Sequence, residues 1–309
     1  MSHVFGPVPS RRLGLSLGVD LIPAKTCSFD CLYCQVGKTT NLTVDPKLFV
    51  PVANVMEDVE KKLLKNVPNT ITLAGSGEPT LYSELDQVIA SIKKITETRV
   101  AVLTNGSLFQ SKEIRNRVLE ADIVLPTLTS AVERTFRMIH KPHPRLELAP
   151  IIGGLEQLRQ DYKGQLFLEV VLLAGINDTE EELEGLKNVI DRICPEKIQL
   201  NTVVRPPADS RAISLDIKKM EEIMVFFGEK AEIVAEPRLT GQITEKNSQV
   251  SRFQDMVKRR PLRPDDIAHA LNLSLDEVED LVKGLLIKGQ IRKQEHSGEI
   301  YYLSNETIR

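Results

Sequence analysis

The chain has no tryptophan among its 309 residues, an absence that dictates nothing about the fold. It has no excess of charge either. The net charge of -3 gives no global attraction to nucleic acid or to an anionic membrane. Long apolar runs are missing: the longest, Leu166 to Ile176, is broken by Glu169 and is too short to span a bilayer. Residues Met1 to Arg12 carry glycine, proline and charge in place of the apolar core of a signal peptide. No internal repeat and no low-complexity segment stands out. These absences predict a soluble, cytoplasmic protein. Its hydrophobic content of 41% is enough for one large domain and a small one.

Cysteine is also scarce, but its placement is not random. Of four cysteines, three fall within the eight residues Cys27-Ser28-Phe29-Asp30-Cys31-Leu32-Tyr33-Cys34, spaced C-x3-C-x2-C. Thiolates are soft ligands that select zinc, copper(I) or an iron–sulfur cluster. A closed structural zinc site takes four ligands, and no histidine follows closely here. His3 and His140 are distant in sequence, and Cys194 lies far off beside Pro195. A cubane cluster on three cysteines leaves one iron open to a small molecule, which is a catalytic arrangement. A partial zinc site and three reduced thiols are the alternatives. Cysteine clusters in an intracellular chain bind metal more often than they form disulfides.

Residues Arg12 to Ile22 alternate as a first strand, stopped by Pro23. The cysteine loop therefore follows the carboxyl end of a strand, where ligands bind in parallel α/β folds. Strands at Thr70 to Ala74, Arg99 to Leu103, Asp122 to Leu125, Leu166 to Leu173 and Lys197 to Val204 then alternate with helical stretches. This rhythm argues for βαβ units and a parallel sheet. The predicted fold is α/β, a partial (β/α)6 TIM-like barrel over residues 1–236. A linker is expected at 237–250. Residues 251–309 read as three helices and a hairpin, a small winged-helix-like domain. Ser274 and Glu277 form a capping box for its third helix.

The strand tips carry polar groups. Gly77-Glu78-Pro79 follows the second strand, where glycine lets backbone approach a ligand and a carboxylate suits an amine; an ordinary turn is an equal reading. Thr104-Asn105-Gly106 ends the third strand and is also a common turn. Glu169 interrupts an apolar strand and needs a partner if buried. It points either to the barrel interior or to the outer layer beside a lysine. Lys141, in a basic run, and Arg205, before two prolines, are placed to grip an anionic substrate, although charge runs are often solvated faces. Cys194 reads as a plain buried thiol.

The cysteine spacing, with Tyr33 just before the last cysteine, resembles the signature of the radical S-adenosylmethionine (radical SAM) superfamily. The resemblance implies a [4Fe-4S] cluster on Cys27, Cys31 and Cys34, with SAM chelating the fourth iron. It implies that Gly77, Glu78 and Pro79 line the site for the SAM amino group, with Thr104 and Asn105 near its ribose or carboxylate and Glu169 nearby. The order of motifs, from the cysteines to Gly-Glu-Pro-Thr-Leu, Gly-Ile-Asn-Asp and Arg-Pro-Pro, is similar to the group related to wyosine-forming tRNA enzymes. The archaeal wyosine enzymes carry a second set of cysteines, and this chain has only Cys194 to spare.

The implied reaction is reductive cleavage of SAM to a 5′-deoxyadenosyl radical that abstracts hydrogen from a substrate. The substrate would be RNA, a peptide or a small molecule. A low-potential donor, ferredoxin or flavodoxin, would supply the electron. The alternatives are an iron–sulfur redox-sensing regulator that binds nucleic acid through the tail, and a maturase that modifies a peptide or protein. Sequence-specific DNA binding fits poorly. The expected recognition helix opens with Asp276, Glu277, Glu279 and Asp280, while Lys258, Arg259, Arg260 and Arg263 lie earlier.

Overall fold

The computed structural model describes residues 3–64, 67–234, 249–271 and 273–305. The chain opens with a hairpin of β1 (Val4–Ser10) and β2 (Gly14–Val19). Two short strands, β3 (Thr26–Cys27) and β4 (Asn41–Leu42), pair beside the cysteine loop. Helices and strands then alternate: α1 (Val52–Leu63), β5 (Thr70–Leu73), α2 (Leu85–Ile95), β6 (Arg99–Thr104) and α3 (Lys112–Asn116). β7 (Ile123–Pro126), α4 (Glu133–His140), α5 (Leu148–Asp161), β8 (Gln165–Leu172), α6 (Glu180–Ile193), β9 (Lys197–Thr202), α7 (Ile217–Phe227) and β10 (Ala231–Ile233) follow.

The main sheet has eight strands in the order β1-β2-β5-β6-β7-β8-β9-β10. All neighbours from β2 to β10 pair in parallel, and only β1 runs antiparallel. The expected first strand, Arg12 to Ile22, thus divides into the Arg11–Leu13 turn and β2, and β1 precedes it unforeseen. Pro7 and Pro9 lie in β1 and cannot donate to a ladder. They are tolerated because β1 is an edge strand, paired only to β2.

Period-two alternation assigns each strand two faces. On β8, Leu166, Leu168, Val170 and Leu172 join the large core under the helices, with Leu155 of α5, Leu186 and Ile190 of α6 and Val88 of α2. Phe167 and Glu169 face the opposite side, where Ala101, Leu125 and Leu103 also lie. Local signals support the helices. Thr179 caps α6 by accepting from the Glu182 N–H, and Glu180 to Glu182 favour its positive end. Asp216 caps α7 through the Lys219 N–H.

The tail contains α8 (Gln249–Val257), α9 (Pro264–Leu271), α10 (Leu275–Ile287) and a hairpin of β11 (Ile291–His296) and β12 (Glu299–Ser304). The Ser274–Glu277 capping box is formed. The tail core of Phe253, Ile267, Val278 and Val282 takes in Val8 of β1. Arg259 stacks 4.6 Å from the Phe5 ring centroid, and Tyr301 Oη donates to the Val204 carbonyl at 2.6 Å. The expected linker, 237–250, falls almost wholly outside the described residues.

Candidate functional site

The cysteine loop is clamped by backbone from the end of α4 and from the loop after β5. Asp30 and Leu32 N–H groups donate to the carbonyls of His140 and Ile139, each at 2.8 Å. Lys25 N–H donates to Ser76 O at 2.9 Å, and Glu78 N–H to Thr26 O at 3.2 Å. Phe29 and Leu32 are buried anchors. The close approach explains Gly77: a Cβ there would lie 2.0 Å from Thr26 O. Gly75 is set likewise, because its Cβ would meet the Asp20 carboxylate.

The three thiols line one cavity of about 290 Å³. Burial pushes the Cys27 pKa up to about 12, with Glu78 adding to it. Burial also raises Cys31 and Cys34. The Phe29 and Ser28 N–H groups point at Cys27, and those of Val36 and Gly37 point at Cys34. Burial alone favours neutral thiols, whereas a metal cation reverses that balance and takes thiolates. Among the described residues, no three His, Cys, Asp or Glu side chains are placed to hold a single metal ion. Three soft donors around one cavity, not one point, with N–H groups aimed at sulfur, fit a multi-iron cluster.

The polar residues expected at the strand tips meet here. Glu78 is buried and accepts from Thr80 N–H (3.0 Å), Thr80 Oγ1 (2.6 Å), Thr104 Oγ1 (2.5 Å) and Asn105 N–H (2.7 Å). Its carboxylate buckles the Gly77 loop to the tip of β6, so its hydrogen-bonding capacity is largely used within the protein. Desolvation still raises its pKa against those four donors. Asn105 Nδ2 donates to Ser28 Oγ at 2.8 Å and approaches Cys27 Sγ at 3.6 Å. Glu169 sits on the cavity face, ion-paired to Arg12, and accepts from Thr127 Oγ1 (2.9 Å) and Asn201 Nδ2 (3.0 Å). Its partner is an arginine of the first turn and not an outer-layer lysine.

Tyr33 and Arg205 also line the cavity. Pro79 does not; it starts a short 3-10 turn. Lys141 lies off the wall and pairs with Asp209 at 3.2 Å. Cys194 is exposed rather than buried, because it ends α6 in a left-handed conformation at the surface.

Sequence reasoning missed three features. His140 Nδ1 lies 3.1 Å from Cys31 Sγ, and its Nε2 lies 2.7 Å from Thr129 Oγ1. Burial pushes its pKa down to about 3, so the ring is neutral. Against a Cys31 thiolate, which only accepts, the tautomer that satisfies both contacts carries its proton on Nδ1 facing the sulfur, with Thr129 Oγ1 donating to Nε2. Asp20 accepts from Ser76 Oγ at 2.6 Å and pairs with Arg259 at 3.4 Å, tying the tail to the glycine loop. Arg11 and Arg12 line the cavity from the β1–β2 turn.

Comparison with known proteins bears on this geometry. Residues 21–188 match the family model described as the radical SAM superfamily. The chain belongs to the radical SAM superfamily. Radical SAM proteins bind a [4Fe-4S] cluster and S-adenosylmethionine. A UPF0026 protein of Methanocaldococcus jannaschii is 33% identical over 99% of this chain and 97% of its own length. A Brachyspira hyodysenteriae protein named GTPase Obg is 35% identical over 98% of this chain, which spans only 45% of that protein. This chain has Gly37-Lys38-Thr39, the end of a phosphate-loop pattern, but Leu32 stands where the pattern needs its first glycine. The solved structure of TYW1 with a lysine-pyruvate adduct shares the radical SAM fold. It is 16% identical, with a TM-score of 0.54, over 72% of this chain and 75% of that one. Among the described residues, no helix is long and apolar enough to cross a membrane.

Proposed function

We propose that the chain is a radical SAM enzyme whose active site is the cavity lined by Cys27, Cys31 and Cys34. The observation that carries this reading is the opening of all three thiols of one loop onto a cavity backed by Gly75, Gly77 and Asn105. When bound, the reduced [4Fe-4S] cluster and SAM supply a 5′-deoxyadenosyl radical for hydrogen abstraction. The protein's own residues hold, orient and exclude water. The three cysteines are the cluster ligands. The backbone around Gly77 receives the amino group of SAM, since the Glu78 carboxylate is engaged by Thr80, Thr104 and Asn105. Asn105 and the Arg12–Glu169 pair set the polar wall.

The mostly parallel sheet is read as a partial barrel over residues 1–236, and the tail as a winged-helix-like domain over 251–309. A cytoplasmic setting and a ferredoxin or flavodoxin donor suit this chemistry. Membership of the wyosine-forming group is the finer reading. A second cluster of its own does not follow, because the one remaining cysteine, Cys194, is exposed just past the end of α6. A pure redox sensor would not need the glycine-backed cavity beside the thiols.

Binding tests the proposal. Anaerobically reconstituted protein should hold about four irons and four sulfides per chain. Its reduced electron paramagnetic resonance (EPR) spectrum should change when SAM is added. A spectrum indifferent to SAM would contradict the proposed open iron.

A further inference from the structure

A second cavity, of about 300 Å³, lies between the β1–β2 turn and the tail. Five arginines line it: Arg11, Arg12, Arg205, Arg260 and Arg263. The acids on its wall are Asp265 and Asp266, against these five guanidiniums. Arg12 is paired to Glu169. Arg205 and Arg263 share Asp266, at 3.8 and 3.6 Å, and Arg263 also reaches Glu299 at 3.0 Å. Arg11 and Arg260 form no ion pair among the described residues, although both are half-buried on this wall. Burial pushes the Arg260 pKa down to about 9 and Arg11 to about 10, with Arg205 the next cause for each. Both remain cations at neutral pH.

Their positions are built rather than accidental. Arg11 sits in a turn where Ser10 Oγ accepts from the Arg12 and Leu13 N–H groups, both at 3.3 Å. Arg260 follows α8, its N–H donating to Met256 O at 3.2 Å. The turn and the tail thus present two guanidiniums from separate elements. Crowding like charges is unfavourable unless an anion joins them. Guanidinium forks match oxyanions. A planar carboxylate suits a single fork, whereas a tetrahedral phosphate offers oxygens to both.

We infer that this cavity binds a phosphate group carried by a small-molecule substrate. Arg11 and Arg260 are its anchors. The inference rests on the radical SAM reading for what happens to the rest of the ligand. Arg11, Arg12, Gln35, Ala74, Leu103 and Arg205 line both cavities. A phosphate held here therefore directs the body of its molecule toward the cysteines. A polynucleotide is disfavoured, because a chain of net charge -3 has no long-range attraction for one.

Isothermal titration of full-length, cluster-bearing protein without reductant or SAM tests this. The result can fail while SAM cleavage succeeds, and the reverse. Inorganic pyrophosphate and ribose 5-phosphate should bind, more weakly as salt rises, while ribose and acetate should not. Arg11→Gln and Arg260→Gln should each weaken pyrophosphate binding about tenfold or more. In phosphate-free buffer, relief of repulsion should leave the melting temperature of Arg260→Gln equal to or above that of the parent. Failure of both phosphates to bind, unchanged affinity in both variants, or binding only of an RNA oligonucleotide without terminal phosphates would overturn the inference. A lower melting temperature for both variants with unchanged affinity would make these arginines structural.

Discussion

At the residue scale, the three thiols were legible because soft-ligand spacing is visible in eight consecutive residues. Gly77 was only half legible: the sequence allowed an ordinary turn equally, and the close approach it makes is to Thr26 O of the cysteine loop, which only the fold brings near. Cys31→Ala should abolish cluster assembly, read as loss of iron and of visible absorbance; unchanged values would remove Cys31 from the ligand set. Gly77→Ala places a Cβ against Thr26 O and should cost about 1–3 kcal/mol in denaturant titration, with poorer cluster loading. His140 was not legible, because 109 residues separate it from Cys31 and only the fold joins them. Removing its hydrogen bond in His140→Phe should leave the cluster assembled but lower its reduction potential, measured by EPR-monitored titration. An unchanged potential would reduce His140 to packing.

At the element scale, the alternation of strand and helix was readable because parallel strands buried on both faces run apolar. β1 was not, since Pro7 and Pro9 mask an edge strand that only its pairing to β2 reveals. The elements around Asp266 carry an acid-sensitive seam. Burial pushes the Asp266 carboxyl up, but the Arg205 charge, the Arg263 N–H and side chain, and Arg260 outweigh it, so its pKa lies below the ordinary 3.8. A depressed carboxyl stabilises the fold above its unfolded value and loses that stabilisation as pH falls through the folded value. The melting temperature in phosphate-free buffer should therefore fall from about pH 4 downward, and less steeply in Asp266→Asn. Equal slopes would show that Asp266 does not couple the seam to pH.

At the scale of the whole molecule, the tail is not an appendage. Its core includes Val8 of β1, and Arg259 reaches both Phe5 and Asp20, which holds the glycine loop through Ser76. The tail helices and hairpin were visible in the sequence, but their docking was not, because no local pattern encodes a contact between Arg259 and Asp20. Phe253→Ala should destabilise the protein by about 3–5 kcal/mol. It should also lower hydrogen-exchange protection in β1; retained protection there would mean that the tail unfolds alone.

If a cluster on Cys27, Cys31 and Cys34 presents an open iron to SAM, the anaerobic, reconstituted protein given excess dithionite and SAM should cleave it, as product analysis would read. 5′-Deoxyadenosine and methionine should form in equal amounts, and none from Cys31→Ala. An intact, reduced cluster that leaves SAM uncleaved would contradict the open iron.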